Sequence, residues 1–243
     1  MRPDVTKAAG RAGRRELLPV AALGAGAGAA WAFLGLAGEV AEGDTRAFDE
    51  RLLLALRAQG DPASPIGPPW LPEVARDLTA LGSAAVLVLV VVATALFLAL
   101  ARRWAEALTL VAASLGGMAL ELTLKGWYGR PRPDLVPHAA RILSASFSSG
   151  HATMSAAVYL TIGALMAHVQ PDPRLKIYVA SVAALLALIV GLSRVYLGVH
   201  WPTDVAAGWT LGAGWAAICW AAAWWLDPSG RNGRLAPPSL PRP

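Results

Sequence analysis

LTALGSAAVLVLVVVATALFLALA, residues 78–101, is a run of 24 positions without a charged side chain and is rich in Val and Leu. A helix needs roughly 20 apolar residues to cross the hydrocarbon core of a bilayer, so this run predicts a transmembrane helix. Over all 243 residues the chain is 56% hydrophobic and only 15% charged, whereas a soluble domain carries about a quarter charged residues. Together with a mean hydropathy of +0.48, this composition predicts an integral membrane protein.

Five further apolar runs accompany this one along the chain. They cover residues 17–38, 107–120, 152–171, 177–193 and 205–226. The run 107–120 is long enough to span if it continues past Glu121 to Lys125. Six spans predict an all-α fold, a six-transmembrane-helix bundle forming one membrane domain over residues 17–226. A basic tail (1–16) precedes the domain, and a basic, Pro-rich tail (227–243) that we expect to be disordered follows it.

Two segments between the first and second runs are too polar to span. Segment 44–60 places Phe48, Leu52, Leu53 and Leu56 at helical spacing among charged residues. It is predicted to be an amphipathic helix on the outer surface, either covering the bundle, which we favour, or lining a path for lipids. Segment 61–72 is Pro-rich and predicts a loop.

The distribution of basic residues indicates an orientation. With the N-terminus in the cytoplasm, 12 of the 21 Lys and Arg residues lie inside, among them the N-terminal tail and the short loops. Both termini are therefore predicted to be cytoplasmic. Arg14 and Arg15 precede the first run as in a signal peptide, but 22 apolar residues exceed a typical signal core and favour a retained anchor.

Several other classes of protein do not fit the sequence. The formal net charge is +5, but the basic residues lie mainly at the ends of apolar runs, so we expect no nucleic-acid partner. Zinc-type ligand spacing and nucleotide-binding glycine patterns are absent from the sequence, and we expect no cofactor. No obligate protein partner is evident. Cys219 is the single cysteine, which excludes an internal disulfide.

Ionisable residues gather in two loops that topology places on the same, outer side of the membrane. They lie between the third and fourth spans and between the fifth and sixth, and they comprise Lys125, Arg132, His151, Arg194, His200 and Asp204. Because ionisable groups at membrane depth are costly, such a cluster indicates a functional site.

The cluster is suited to phosphoryl transfer. Lys125, Arg132 and Arg194 offer positive charge for the oxygens of a phosphate, whose transition state spreads negative charge over them. Ser149 and Gly150 open the fourth span, where helix-initial N–H groups bind anions and glycine permits a close approach.

Two histidines and a carboxylate supply the chemistry. His200 and Asp204 are four residues apart, and Pro202 between them is suited to the first turn of a helix, so both side chains share one face. A carboxylate that orients Nδ1 leaves Nε2 of His200 free to act as the nucleophile. His151, from the other loop, can protonate the leaving oxygen and then activate water.

The same residues resemble the three signature motifs of the type 2 phosphatidic acid phosphatase family. The matching stretches are Lys125-x6-Arg132-Pro133, Ser148-Ser149-Gly150-His151 and Ser193-Arg194-x5-His200-x3-Asp204, and Ser148 departs from the proline of many members. Segments near Phe48-Asp49 and at 77–83 are similar to bacterial phosphatidylglycerophosphatase B-like members, and the chain as a whole resembles those or undecaprenyl-diphosphate phosphatase-like members. The resemblance implies a phosphohistidine on His200, acid–base work by His151, no metal, and a site facing the exterior of a bacterial inner membrane.

The expected function is therefore hydrolysis of a lipid phosphate within the membrane. Candidate substrates are an isoprenyl diphosphate such as undecaprenyl diphosphate, phosphatidylglycerophosphate and phosphatidate. A phosphotransferase using a lipid or sugar hydroxyl as acceptor, and a lipid A phosphatase, remain open. A soluble vanadium haloperoxidase, which is similar in its oxyanion motifs, and a degenerate transporter or scaffold are disfavoured.

Four neighbouring residues match no motif position. Arg130, Arg141 and His138 are predicted to be ordinary solvated loop residues, and Glu121 a structural partner of Lys125 one helical turn away.

Overall fold

The computed structural model describes residues 5–135 and 145–226, with side chains from residue 17 onward. The fold is all-α apart from one short hairpin, as predicted. Its elements are α1 Val5–Glu42, α2 Arg46–Ala55, β1 Arg57–Ala58, β2 Asp61–Pro65, α3 Leu71–Ala80, α4 Ala84–Leu100, α5 Trp104–Tyr128, α6 Gly150–Val169, α7 Pro173–Tyr196 and α8 Pro202–Leu226.

Within the described residues, five helices are long and apolar enough to cross a membrane, and α3 with α4 forms a sixth candidate span bent by 45°. These helices confirm a multi-pass bundle. Helix α5 does continue past Glu121 to Lys125, and Pro202 does begin α8.

The apolar run 78–101 is not one helix, so its predicted boundaries are wrong. The backbone leaves the helical conformation at Ser83, whose hydroxyl accepts a hydrogen bond from the N–H of Val86 (3.4 Å) and so caps α4. The hydroxyl of Tyr159 in α6 donates to the carbonyl of Leu81 (2.7 Å) and holds the bend in place. Residues 78–80 therefore belong to α3, whose end lies beside the last turn of α7.

The polar segment 44–72 also differs from its prediction. Helix α2 ends at Ala55, and β1 and β2 form an antiparallel hairpin where the end of an amphipathic helix and a loop were expected. Long-range contacts explain the difference: Arg57 Nη2 donates to the carbonyl of Tyr196 (2.9 Å), and the Tyr196 hydroxyl donates to that of Ile66 (2.7 Å). These bonds tie the hairpin to the carboxyl end of α7.

Helix α6 lies at the centre of the bundle and packs against α5, α7 and α8, while α1 packs along α8. The approach of α6 to α8 is close because Gly208 has no side chain. A Cβ atom at this position would lie 2.8 Å from the carbonyl oxygen of Ser149 and 2.9 Å from Cβ of Ala152. The amino ends of α6 and α8 thereby meet, and the N–H of Ser149 donates to the carbonyl of Asp204 (3.1 Å).

Candidate active site

The eight residues proposed from the sequence lie together at one end of the bundle. Lys125 is in the last turn of α5 and Arg194 in the last turn of α7, while Ser149, Gly150 and His151 begin α6. Arg132 follows α5, His200 lies between α7 and α8, and Asp204 is in the first turn of α8. His151 interacts electrostatically with Lys125, Arg132, Arg194 and His200, so the separate loops form one site.

His200 is almost fully buried, and Asp204 is completely so. Nδ1 of His200 lies 3.6 Å from Oδ2 of Asp204, which is longer than a hydrogen bond. Ser146 joins the two groups: its hydroxyl donates to Asp204 Oδ2 and lies 3.3 Å from His200 Nδ1. The sequence argument missed Ser146, because the only available signal was its position three residues before Ser149.

Burial lowers the pKa of His200 from 6.5 to about 4, with the Asp204 carboxylate opposing the shift and the Arg132 guanidinium adding to it. The imidazole is therefore neutral at neutral pH. Arg132 Nη1 lies 3.0 Å from Nε2 of His200 and 2.7 Å from the carbonyl oxygen of Val199. Since a guanidinium only donates hydrogen bonds, Nε2 is the acceptor and carries the lone pair.

Arg194 and Ser149 present donors to the same space. The side chain of Arg194 is buried, and its Nη1 donates to the hydroxyl of Thr79 (3.3 Å) at the end of α3. Arg194 Nε and Ser149 Oγ are buried and have no hydrogen-bond partner among the described residues. Buried donors in native proteins are normally satisfied, so these atoms indicate an anion-binding site. The bend between α3 and α4 brings Thr79 here, a contact that the sequence argument missed.

Lys125 forms an ion pair with Glu121, which confirms the predicted partnership. Both side chains lie against Gly150, the first residue of α6: a Cβ atom there would be 2.6 Å from Glu121 Oε1 and 3.2 Å from Lys125 Nζ. Glycine at this position therefore lets the lysine approach the amino end of α6, where the helix N–H groups also favour an anion.

Arg130 contradicts its prediction as a solvated loop residue. Only 13% of its side chain is exposed, and Nη1 donates to Asp204 Oδ1 (2.6 Å) while Nη2 donates to Asp49 Oδ2 (2.7 Å). Its guanidinium carbon also lies 5.5 Å from the centre of the Trp201 ring. The cation is buried because two buried carboxylates surround it. His138 and Arg141 lie outside the described residues.

An apolar cavity of about 480 Å³ opens between α4, α5 and α6. Its walls are mainly aliphatic side chains such as Val91, Leu115 and Met118, and one end of it is formed by Glu121, Gly150 and His151. Because lining residues such as Val88, Leu115 and Leu122 are exposed, the cavity connects the charged site to the outward-facing surface of these helices. No group of three or more His, Cys, Asp or Glu side chains suited to a metal occurs within residues 5–135 and 145–226.

The sequence profile of the PAP2 superfamily matches residues 106–228, half of the chain, and this range contains all eight residues proposed from the sequence. The chain belongs to the PAP2 superfamily. This membership confirms the resemblance to type 2 phosphatidic acid phosphatases that the three motifs indicated.

Individual PAP2 proteins show the same relationship. Over 145 residues the chain is 37% identical to phosphatidylglycerophosphatase B of Bacillus subtilis (strain 168), covering 59% of this chain and 71% of that protein. It is 36% identical over 124 residues to decaprenylphosphoryl-5-phosphoribose phosphatase of Mycobacterium tuberculosis, covering 50% of this chain and 63% of that one. The crystal structure of a transmembrane PAP2 type phosphatidylglycerolphosphate phosphatase from Bacillus subtilis superposes with a TM-score of 0.75 at 30% identity, covering 84% of this chain and 98% of the other.

Proposed function

We propose that this protein hydrolyses a lipid phosphate at the outer membrane–water interface through a phosphohistidine on His200. The observation that carries the proposal is a buried, neutral histidine whose Nε2 faces Arg132 while Asp204 and Ser146 hold its Nδ1 side. The chain is a lipid phosphatase of the PAP2 superfamily and a multi-pass membrane protein. The roles of individual residues, the lipid and the orientation are what we propose beyond that.

In the first step, Nε2 of His200 attacks phosphorus and forms an N–P bond as the P–O bond to the lipid breaks. Arg132, Arg194 and Lys125 bind the remaining phosphate oxygens, together with Ser149 and the N–H groups that open α6. His151 gives a proton to the departing oxygen. The lipid leaves as an alcohol from a monoester, or as a monophosphate from a diphosphate.

In the second step, His151 takes a proton from water, and the resulting hydroxide attacks phosphorus. The N–P bond breaks, inorganic phosphate leaves, and His200 returns to its neutral form. Through both steps Asp204 stabilises the positive charge that the imidazole carries while it is phosphorylated. Every atom transferred comes from substrate, water or the two histidines, so the cycle closes without another reactant.

The apolar cavity supports a substrate with a hydrocarbon chain. About 480 Å³ of aliphatic space borders His151 and Gly150, where the phosphate is expected. Apolar pockets with a few polar groups at one end bind ligands of the same character. We infer an isoprenyl diphosphate such as undecaprenyl diphosphate, or phosphatidylglycerophosphate or phosphatidate, reached from the outer leaflet. The names of the relatives, one glycerolipid phosphatase and one polyprenyl-linked phosphatase, support both classes.

A phosphate-release screen of the purified protein tests the proposal. The panel contains undecaprenyl diphosphate, phosphatidylglycerophosphate, phosphatidate and lipid A, each assayed with wild-type protein and with His200→Ala. We expect one class to be turned over by the wild type and none by the variant. Turnover by a folded His200→Ala protein would refute the mechanism. Phosphate that appears on an added lipid or sugar hydroxyl, with no free phosphate released, would identify a phosphotransferase.

A further inference from the structure

Arg130 lies between two fully buried carboxylates that belong to distant parts of the chain. Its Nη1 is 2.6 Å from Asp204 Oδ1, and its Nη2 is 2.7 Å from Asp49 Oδ2. Nη1 also donates to Thr203 Oγ1 at 2.9 Å. The guanidinium is planar and its donors are rigidly spaced, so these contacts leave it a single orientation.

Asp49 is itself held by more than the arginine. Its Oδ1 accepts from the N–H of Thr203 (2.9 Å), and its Oδ2 accepts from the Thr203 hydroxyl (2.6 Å) as well as from Arg130. A carboxylate with no exposed surface costs several kcal/mol to desolvate, and an apolar residue would fill the same space at lower cost. The network therefore calls for an explanation beyond packing.

The carboxylate of Asp204 shows what the network does. Oδ1 faces Arg130, and Oδ2 accepts from Ser146 Oγ and from the N–H of Trp201 (3.1 Å) on the side of His200. Because Arg130 holds Oδ1, it sets the rotation of the carboxylate and turns Oδ2 toward the imidazole. Asp49 fixes Arg130 in turn, so helix α2 contributes to the geometry of the nucleophile without contacting it.

We propose that Asp49 and Arg130 are positioning residues that orient Asp204 and set the charge around His200. Asp49, Arg130 and Asp204 together carry a formal charge of −1, which complements the imidazole when it becomes cationic. With a neutral residue in place of Asp49 the sum would be zero, and the cationic intermediate would lose stabilisation while the phosphate-binding cations stayed in place. This inference rests on the proposed function, in which His200 is the nucleophile.

The test compares Asp49→Asn with a matched control, Glu50→Gln. Both changes neutralise a carboxylate on α2, but Glu50 is partly exposed and pairs only with the exposed Arg46 among the described residues. Since hydrogen bonds to charged groups are lost, we expect Asp49→Asn to lower kcat by about 10- to 100-fold. Glu50→Gln should keep wild-type kcat. The substrate is the lipid phosphate turned over fastest in the screen, in detergent micelles.

The inhibition constant of inorganic phosphate distinguishes a specific effect on the orientation of Asp204 from a general disruption of the site. This constant depends on the proposed phosphate-binding cations Lys125, Arg132 and Arg194, whereas Asp49 pairs with Arg130, so Asp49→Asn should leave the constant within about twofold of wild type. A kcat within twofold of wild type, or an inhibition constant that worsens as much as kcat falls, would overturn the proposal.

A second pair of variants keeps the test decisive if Asp49→Asn does not fold. Thr203→Val preserves shape but removes the hydroxyl shared by Asp49 and Arg130, and Thr203→Ser restores that hydroxyl. We expect kcat to fall about fivefold or more in the valine variant and to recover in the serine variant. Equal kcat in both would overturn the proposal. His200→Ala is assayed in parallel: if it is inactive while the network variants are unaffected, only the positioning role fails, whereas an active His200→Ala refutes the mechanism itself.

Discussion

Asp204→Asn removes the charge that faces the nucleophile while preserving the size of the side chain. In the wild type, Asp204 Oδ2 lies 3.6 Å from His200 Nδ1, and neither side chain is more than marginally exposed. When the imidazole of His200 becomes cationic during phosphorylation, it and the Asp204 carboxylate are two unit charges at that separation. Such charges interact by about 5 kcal/mol at an effective dielectric constant near 20. Arg130, which pairs with the other oxygen of Asp204, offsets part of that interaction. Each 1.36 kcal/mol is about tenfold in rate, so we expect kcat to fall by about 10²- to 10³-fold.

Single-turnover kinetics measure this effect directly. A substrate with labelled phosphorus, mixed with excess enzyme and quenched in base, reports the rate at which acid-labile phosphohistidine forms. We expect that rate to fall with kcat, while binding of inorganic phosphate changes little.

Asp172→Asn is the matched control, because Asp172 also lies at a helix start, where it accepts from the N–H of Arg174 (2.8 Å) in α7. A folded Asp204→Asn protein that retained more than a tenth of wild-type kcat would refute the reasoning.

Three further predictions follow from single features of the site. Because burial lowers the pKa of His200 to about 4, kcat/KM should survive acidification through pH 6.5 and fall only as the pH approaches 4. An acid limb near pH 6.5 that persists when the other titratable residues of the site are changed would contradict this. Gly208→Val should separate α6 from α8, lowering the free energy of unfolding by about 1–3 kcal/mol and reducing activity. Gly28→Val has open space at its Cβ position and should change neither. Thermal unfolding in detergent measures the stability of the two variants, and phosphate release measures their activity. Met118→Trp narrows the apolar cavity and should raise KM for a long-chain lipid phosphate, while KM for a short, water-soluble phosphate ester stays unchanged. Leu185→Trp, at an exposed position on α7, is the control. Equal effects of the two variants on KM would argue against a lipid-binding cavity.

Helix α2 packs beside the candidate site, where Asp49 contacts Arg130. Phe48, Leu52 and Leu54 are exposed, whereas Asp49 and Leu53 are buried. Asp49 therefore faces inward beside Leu53, while the exposed face of α2 carries both apolar side chains and the charged Arg46 and Arg51. Such an arrangement suits a helix whose outer face contacts lipid while its inner face meets a polar site. The sequence suggested that this helix either covers the bundle or lines a path for lipids. In the structure it packs on the bundle, and its Asp49 contacts Arg130 directly.

The sequence by itself determined the membrane class, the number of candidate spans and the set of motif residues. Hydropathy is a local property, so an uninterrupted run such as 205–226 predicts its helix without knowledge of its neighbours. Counting spans then placed the loop that carries His151 beside the loop that carries His200. Spacing of four residues was enough to put His200 and Asp204 on one face.

Only the tertiary structure decided the break at Ser83, the hairpin after α2, and the partners of Arg130. Asp49 and Thr203 are 154 positions apart, and Arg130 and Asp49 are 81 apart, so no local pattern relates them. A buried arginine and a solvated one look alike in sequence, since the difference lies in whether distant carboxylates surround the guanidinium. The motif residues were predictable because their function constrains their spacing, whereas the groups that hold them are set by which helix ends the folded bundle brings together.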